Sequence, residues 1–232
     1  MPNWVRTNLH ISGDENEIKK LVEAVKSIDG KSDFDFNRIT PMPEELDIVE
    51  SSFGMQGMQY IILMANGSCI LSESDKKLKH IMEDRKKDNP KEYDECIDLG
   101  KQYMTNIVKY GFPTWYNWCR CNWGTKWNCD DVDFDGSCNY SFSTAWSFPL
   151  PIVEKLSEMF PELEIQFWYA DEDCGSNTGH GIMKNKEAIL EDFPDDGSNH
   201  AYELYLITHP WDEDNLVFGE DGTYHWVDDE EF

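Results

Sequence analysis

From residue 4 to 12 the chain alternates, with Val5, Thr7, Leu9 and Ile11 set against Arg6, Asn8 and His10. This is the period-two pattern of a strand with one buried face. Gly13-Asp14 breaks it. Ile18, Leu21, Val22 and Val25, with Ile28 a little beyond, then recur at helical spacing, and Asp14 followed three residues later by Glu17 suits a capped helix start. Phe34, Phe36 and Ile39 predict a second strand, closed at Pro41-Met42-Pro43 because two prolines stop ladder bonding. From Glu44 to about Gly111 the pattern is helical: an apolar run over 60–64, then residues 75–87 (Leu78, Ile81, Met82) and 92–110 (Cys96, Leu99, Tyr103, Ile107), two amphipathic helices joined near Asn89-Pro90. Asp130, Asp131, Asp133, Asp135 and Gly136 read as an acidic turn, after which Cys138, Tyr140, Phe142 and Thr144 alternate as a strand. Pro149 and Pro151 open a helix over 152–160, residues 164–169 alternate as a further strand, and the glycine-rich piece 175–181 leads into a short strand near Ile182-Met183.

The order is β-α-β, a helical insertion, then β-α-β, the plan of an α+β, ferredoxin-like sandwich with one sheet covered by two helices. Residues 1–186 are expected to form this domain, with the insertion at about 44–111. Residues 187–232 hold 15 acidic side chains and not one Lys or Arg, yet carry enough apolar residues (Tyr202, Leu204, Leu206, Trp211, Phe218, Trp226) to fold in part against the domain. They read as an acidic C-terminal extension packed on the body. Six of the nine tryptophans (115, 118, 123, 127, 146 and 168) lie in or just after residues 110–146. No surface loop carries so many without a large exposed apolar patch, so Trp123, Trp127 and Trp146 are expected to pack where the chain returns from the insertion into the sheet, with Lys126 a solvated charge between them.

Charge changes the picture most. With 46 acidic against 20 basic residues the formal net charge is −26, far beyond what solubility needs and opposed to compactness. Nucleic acid and anionic membranes are poor partners for such a surface, since phosphate binding relies on Lys and Arg; a protein with a basic surface is a good one. No run approaches about eighteen apolar residues and no leader-like pattern opens the chain, which gives the expectation of a cytoplasmic protein, neither secreted nor membrane-spanning. Seven scattered cysteines, an odd number, fit a reducing compartment and not a disulfide framework.

The residues for site chemistry are sparse. Cys119, Cys121, Cys129 and Cys138, with Cys174 and His180 later, are the metal-like set, but they lack paired Cys-x2-4-Cys knuckles; packed thiols are the favoured reading, and no metal or cofactor is expected. On a strand Cys119 and Cys121 would face one side. Asp131, Asp133, Asp135 and Gly136 start like an EF-hand loop, but position twelve is Phe142, not Glu. His10, His180, His200 and His209 could serve as bases, and Cys174 or Ser176 as nucleophiles. No spacing ties them into a catalytic set, and no catalytic residue is assigned.

Several stretches together resemble the YubB ferredoxin-like family of phages and conjugative plasmids: Asn3-Trp4, residues 37–46 (NRITPMPEEL), residues 122–128 (NWGTKWN), residues 142–147 (FSTAWS) and residues 160–163 (FPEL). The resemblance covers roughly residues 1–185 and implies the fold and a gene carried by a mobile element, with no catalytic residues to transfer. Joined to the charge, it gives the expected function: binding and inhibiting a host nucleic-acid-handling or defence protein, in part as an acidic mimic of nucleic acid. The expected contacts are Asp195, Asp196, Asp212, Glu213, Asp214, Asp228, Asp229, Glu230 and Glu231. The rival readings are a small-ligand or nucleotide module beside the Trp-rich region and, less favoured, an enzyme.

Overall fold

The structure is a computed structural model describing residues 1–66 and 71–227. The chain divides into two compact units, one made of residues 1–41 and 119–232 and the other of residues 42–118.

The first unit is built on an antiparallel six-stranded sheet. Its elements are β1 (Trp4–Ser12), α1 (Glu15–Val25), α2 (Phe36–Ile39), β2 (Asp130–Phe134), β3 (Asn139–Ala145), α7 (Leu150–Met159), β4 (Glu164–Asp171), β5 (Gly179–Lys184) and β6 (Glu187–Asp192), with sheet order β2-β3-β1-β4-β5-β6. The first four strands with α1 and α7 give the ferredoxin-like β-α-β-β-α-β arrangement, and β5 and β6 widen it beyond β4. Alternation sorts β1 cleanly: Val5, Thr7, Leu9 and Ile11 are buried, and register sets Thr7 beside Phe142 and Leu9 beside Tyr140 of β3, and Leu9 and Ile11 beside Phe167 and Ile165 of β4. Leu21 and Val25 of α1 and Ile152, Val153 and Leu156 of α7 are buried with them. Phe34 stacks on Phe142 with ring centroids 5.1 Å apart.

Several local expectations are corrected. Phe34, Phe36 and Ile39 do not form a strand: Asp35 accepts the amide of Asn37 and caps the one-turn helix α2, in which Phe36 and Ile39, three apart, are both buried. The second strand of the first β-α-β therefore comes only after the insertion, as β2, and Asp130 to Phe134 are strand while the turn starts at Asp135. Cys119 and Cys121 lie on a helix, α6 (Trp115–Asn122), where a two-residue step points to opposite sides; Cys119 is buried and Cys121 exposed. The tryptophans also divide. Trp118 and Trp123 are buried, and Trp123 Nε1 donates to the Thr40 carbonyl at 2.8 Å. Trp127 and Trp146 are 39% and 54% exposed, so they do not fill a core. Lys126 sits 4.2 Å from the Trp127 ring centroid, a cation–π contact and not merely a solvated charge.

The chain beyond Lys186 continues the same unit. β6 pairs with β5; α8 (Asn199–Thr208) contacts β4, β1 and β5; β7 (Leu216–Phe218) and β8 (Tyr224–Trp226) form a short hairpin.

The second unit contains α3 (Ser52–Asn66), α4 (Glu73–Asp88) and α5 (Pro90–Tyr110), with a small core of Tyr60, Met82 and Cys96 flanked by Phe53, Leu78, Tyr93 and Ile97. α3 and α5 approach closely through Gly57 and Gly100, where a Cβ would collide with the Cys96 carbonyl and the Met58 amide respectively. Cys69 lies outside the described residues.

Candidate functional site

The residues of β1 that alternate with its buried set, Arg6, Asn8 and His10, point to the other side of the sheet. Register puts Ser143, Ser141 and Asn139 beside them on β3, and Ala170, Trp168 and Gln166 on β4. The two helices of a ferredoxin-like unit leave this face open. Here α8 returns across part of it, tied by Asn8 Nδ2 donating to the Ile207 carbonyl at 3.1 Å, and the 3-10 turn Pro210–Asp212 follows. Two grooves result, both bordered by Arg6 and Trp211. One, of about 410 Å³, is lined by His10, Asp133, Asp135 and Trp168; the other, of about 620 Å³, by Trp4, Asp130, Asp131, Glu172, His209 and Trp226.

Arg6 is spoken for. Its Nη1 donates to Asp131 Oδ2 at 2.5 Å, to the Asp131 carbonyl at 3.2 Å and to Ser143 Oγ at 3.4 Å. Of the other carboxylates bordering the grooves, Asp130, Asp133 and Glu172 have no ion-pair partner among the described residues.

The β2–β3 turn fixes one histidine. Asp135 accepts the amides of Ser137, Cys138 and Asn139 at 2.8, 3.0 and 3.1 Å and Asn139 Nδ2 at 2.6 Å. Burial raises its pKa, but the hydrogen bonds from Asn139 and Ser137 outweigh this and hold the carboxyl below the ordinary range. With Nδ2 of Asn139 turned to Asp135, Oδ1 meets His10 Nδ1 at 2.7 Å. His10 must then donate from Nδ1, which leaves the lone pair on Nε2. Cys138 Sγ lies 3.9 Å from the same Nδ1, whose proton is already committed, so this nitrogen cannot act as a base toward the thiol.

The other candidate groups have separate partners. His180 stacks on Trp168 at 4.9 Å and meets Gln166 Nε2 at 2.9 Å, and burial lowers its pKa. His200 bridges Asp192 at 2.7 Å and Glu203 at 3.4 Å; these hydrogen bonds, Asp192 first, raise its pKa. Burial, with Asp212 and Asp173 nearby, pushes the Cys174 thiol up to about 11, which keeps it protonated at neutral pH and a poor nucleophile. Ser176 Oγ donates to Asp173. Cys129 Sγ donates to the Phe34 carbonyl at 3.2 Å, and burial raises its pKa. Among the described residues no three His, Cys, Asp or Glu side chains are placed to hold a metal ion, and no helix among them is long and apolar enough to cross a membrane.

Of the acidic contacts expected from sequence, Asp212 alone borders a groove, where it accepts the Tyr205 hydroxyl at 2.6 Å. Asp195, Asp196, Glu213 and Asp214 are exposed, and Asp196 accepts the Asn177 amide. Asp228, Asp229, Glu230 and Glu231 lie outside the described residues. The carboxylates at 130, 131, 133 and 135, taken from sequence as a turn, all border the grooves, the first three from the strand β2 and Asp135 from the turn itself; Val132 and Phe134 alternating with Asp131 and Asp133 were the signal for a strand.

A family model agrees with this fold. Residues 122–216, from the end of α6 to the first residue of β7, match the family model described as a ferredoxin-like domain in Api92-like protein. A crystal structure of a protein api92 from Yersinia pseudotuberculosis is similar at 11% identity, covering 84% of this chain and 99% of that one with a TM-score of 0.40. No curated protein matches.

Proposed function

We propose that the protein binds a host protein through a basic, nucleic-acid-handling surface and blocks that surface, its carboxylates standing in for backbone phosphates. On this reading it is a mobile-element protein of the YubB ferredoxin-like kind, acting in the host cytoplasm. The observation that carries the reading is the open sheet face. Arg6 is neutralised by Asp131, while Asp130, Asp133 and Glu172 have no cation partner among the described residues, and the residues beyond Lys186 add acid without a single Lys or Arg. Duplex DNA sets one charge per about 1.7 Å along its axis, and a basic groove evolved for that field attracts a dense, fixed array of carboxylates by the same long-range force.

The test is capture of host proteins on the immobilised chain at about 50 mM and about 200 mM salt, followed by nucleic-acid binding assays on whatever is captured. Captured proteins should release with salt and lose DNA or RNA binding when this protein is added. Capture indifferent to salt, or nucleic-acid binding left unchanged, would overturn the reading. A second reading has one observation in its favour: both grooves fall within the roughly 300–1,000 Å³ of small-molecule sites and are flanked by tryptophan. It predicts a ligand-dependent rise in Tm that does not depend on salt.

A further inference from the structure

Building on the proposed binding of a basic partner, we infer that the groove between Trp4, Trp211 and Trp226 is an anchor site for an arginine side chain of that partner. Four features point to a guanidinium. The first is aromatic surface left in water: Trp211 is 63% exposed and Trp226 46% exposed, and both border one groove with the half-buried Trp4. Tryptophans in such a setting are the usual energetic centre of an interface, and a guanidinium, weakly hydrated and planar, stacks on them better than an ammonium.

The second is charge. Asp130, Asp131, Glu172 and Asp212 border the groove, and Arg6 cancels Asp131 alone. Anionic ligands, nucleotides included, are disfavoured there. The third is carboxylate geometry left open: Glu172 and Asp130 pair with no cation among the described residues, and Asp212 has only the Tyr205 hydroxyl. Carboxylates in that state suit the paired N–H donors of an arginine.

The fourth is a neutral acceptor in the wall. His209 is only 6% exposed yet lines the groove, stacked flat on Tyr205 with centroids 4.2 Å apart. The Thr208 hydroxyl gives its proton to the Tyr205 carbonyl at 3.0 Å, so at 2.9 Å from His209 Nδ1 it accepts. Nδ1 therefore carries the ring proton, and Nε2 is a lone-pair acceptor with no hydrogen bond to any described residue. Burial, which lowers the His209 pKa, favours this neutral form. The ring is almost wholly buried but Nε2 itself opens to the groove, where it can accept from a ligand's donor, and a guanidinium brings five N–H groups.

The test uses the full chain and blocked Gly-Gly-Xaa-Gly-Gly peptides with Xaa arginine, lysine or citrulline, which keeps arginine's shape without its charge. Indole N–H signals are followed by NMR and assigned with single Trp→Phe variants. The arginine peptide should shift the Trp4, Trp211 and Trp226 signals, with lysine weaker and citrulline weaker by at least about tenfold. Trp211→Ala and Glu172→Gln, both at exposed positions, should each weaken the arginine response without altering the remaining indole spectrum. Equal response to arginine and citrulline, a response confined to other tryptophans, or variants that bind like the parent would each overturn the anchor. Failure here is separable from failure of the functional reading. A salt-sensitive basic partner held equally by the parent and Trp211→Ala removes the anchor and leaves the acidic-surface reading standing, whereas the absence of any such partner removes that reading while the peptide titration still decides the anchor.

Discussion

Replacing Trp123 and Trp127 separately gives the clearest check on how the Trp-rich stretch is built. Trp123 is 3% exposed, meets Phe36 edge-on at 5.9 Å and donates Nε1 to the Thr40 carbonyl. Trp123→Ala removes a fully packed indole, which costs about 3–5 kcal/mol in a core that cannot collapse. It also leaves the Thr40 carbonyl without its donor, a penalty of about 1–3 kcal/mol that overlaps the first. We expect a total near the top of the 3–5 kcal/mol range, about 5 kcal/mol. Trp123→Phe keeps most of the apolar burial and loses the hydrogen bond, so about 1–2 kcal/mol is expected. Trp127 is 39% exposed, with a tilted contact to Trp4 at 6.4 Å and the Lys126 ammonium over its face; Trp127→Ala should cost about 1 kcal/mol. Urea unfolding followed by far-UV circular dichroism measures all three without relying on tryptophan emission. If Trp127→Ala destabilises as much as Trp123→Ala, the division of this stretch into core and surface is wrong.

Other outcomes follow from the same contacts. Gly57→Ala sets a Cβ against the Cys96 carbonyl in the crossing of α3 and α5 and should cost about 3 kcal/mol in urea unfolding; a neutral result would mean that the two helices are farther apart. His209 has its folded pKa lowered by burial, so its contribution to stability is full above the unfolded value of about 6.5 and falls as pH drops from there toward the folded value. His209→Gln should flatten the decline in Tm between about pH 7 and 5. His200 has the opposite sign: its raised pKa gives a contribution that is full below about pH 6.5 and lost as pH rises through the folded value. His200→Gln should therefore lower Tm more at acid than at neutral pH, and an equal loss at both would discount its bridge from Asp192 to Glu203. Asp135→Ala removes the acceptor that orders Ser137, Cys138 and Asn139, and the His10 ring should then sample both neutral tautomers by 15N NMR; a ring still held as the Nδ1–H form would refute the Asp135–Asn139–His10 chain.

The regular elements were legible because their periodicity is strong. β1 alternates without a fault, and α4 and α5 carry apolar residues at three- and four-residue spacing bounded by Asn89-Pro90. The misreading of Phe34, Phe36 and Ile39 arose where periods overlap: over so short a stretch these apolar residues fit either a strand or a capped turn, and the capping by Asp35 decides it. β2 was hidden for a different reason. An edge strand needs one apolar face at most, and with Asp130, Asp131 and Asp133 on it the sequence looks like a turn. β2 also ends next to Asp135, a true turn residue. The candidate site was the least visible part. It depends on register bringing Ser143 and Ala170 beside Arg6, and on the residues after Lys186 returning across the sheet, neither of which local pattern contains. The acidity was visible from the start, but the sequence drew attention to the far C-terminus and away from the carboxylates that border the grooves.

The most direct test of the account is the salt dependence of association between this protein and a captured basic partner, measured for the parent chain and for a variant carrying Asp130→Asn, Asp133→Asn and Glu172→Gln. These three side chains have no ion-pair partner among the described residues, so the fold should be untouched. The account predicts that the parent associates fast at low salt and slows as salt rises, while the variant associates at least about tenfold more slowly at low salt with a shallower salt dependence. Identical rates and identical salt dependence for the two would contradict the claim that the open face of the sheet is the binding surface.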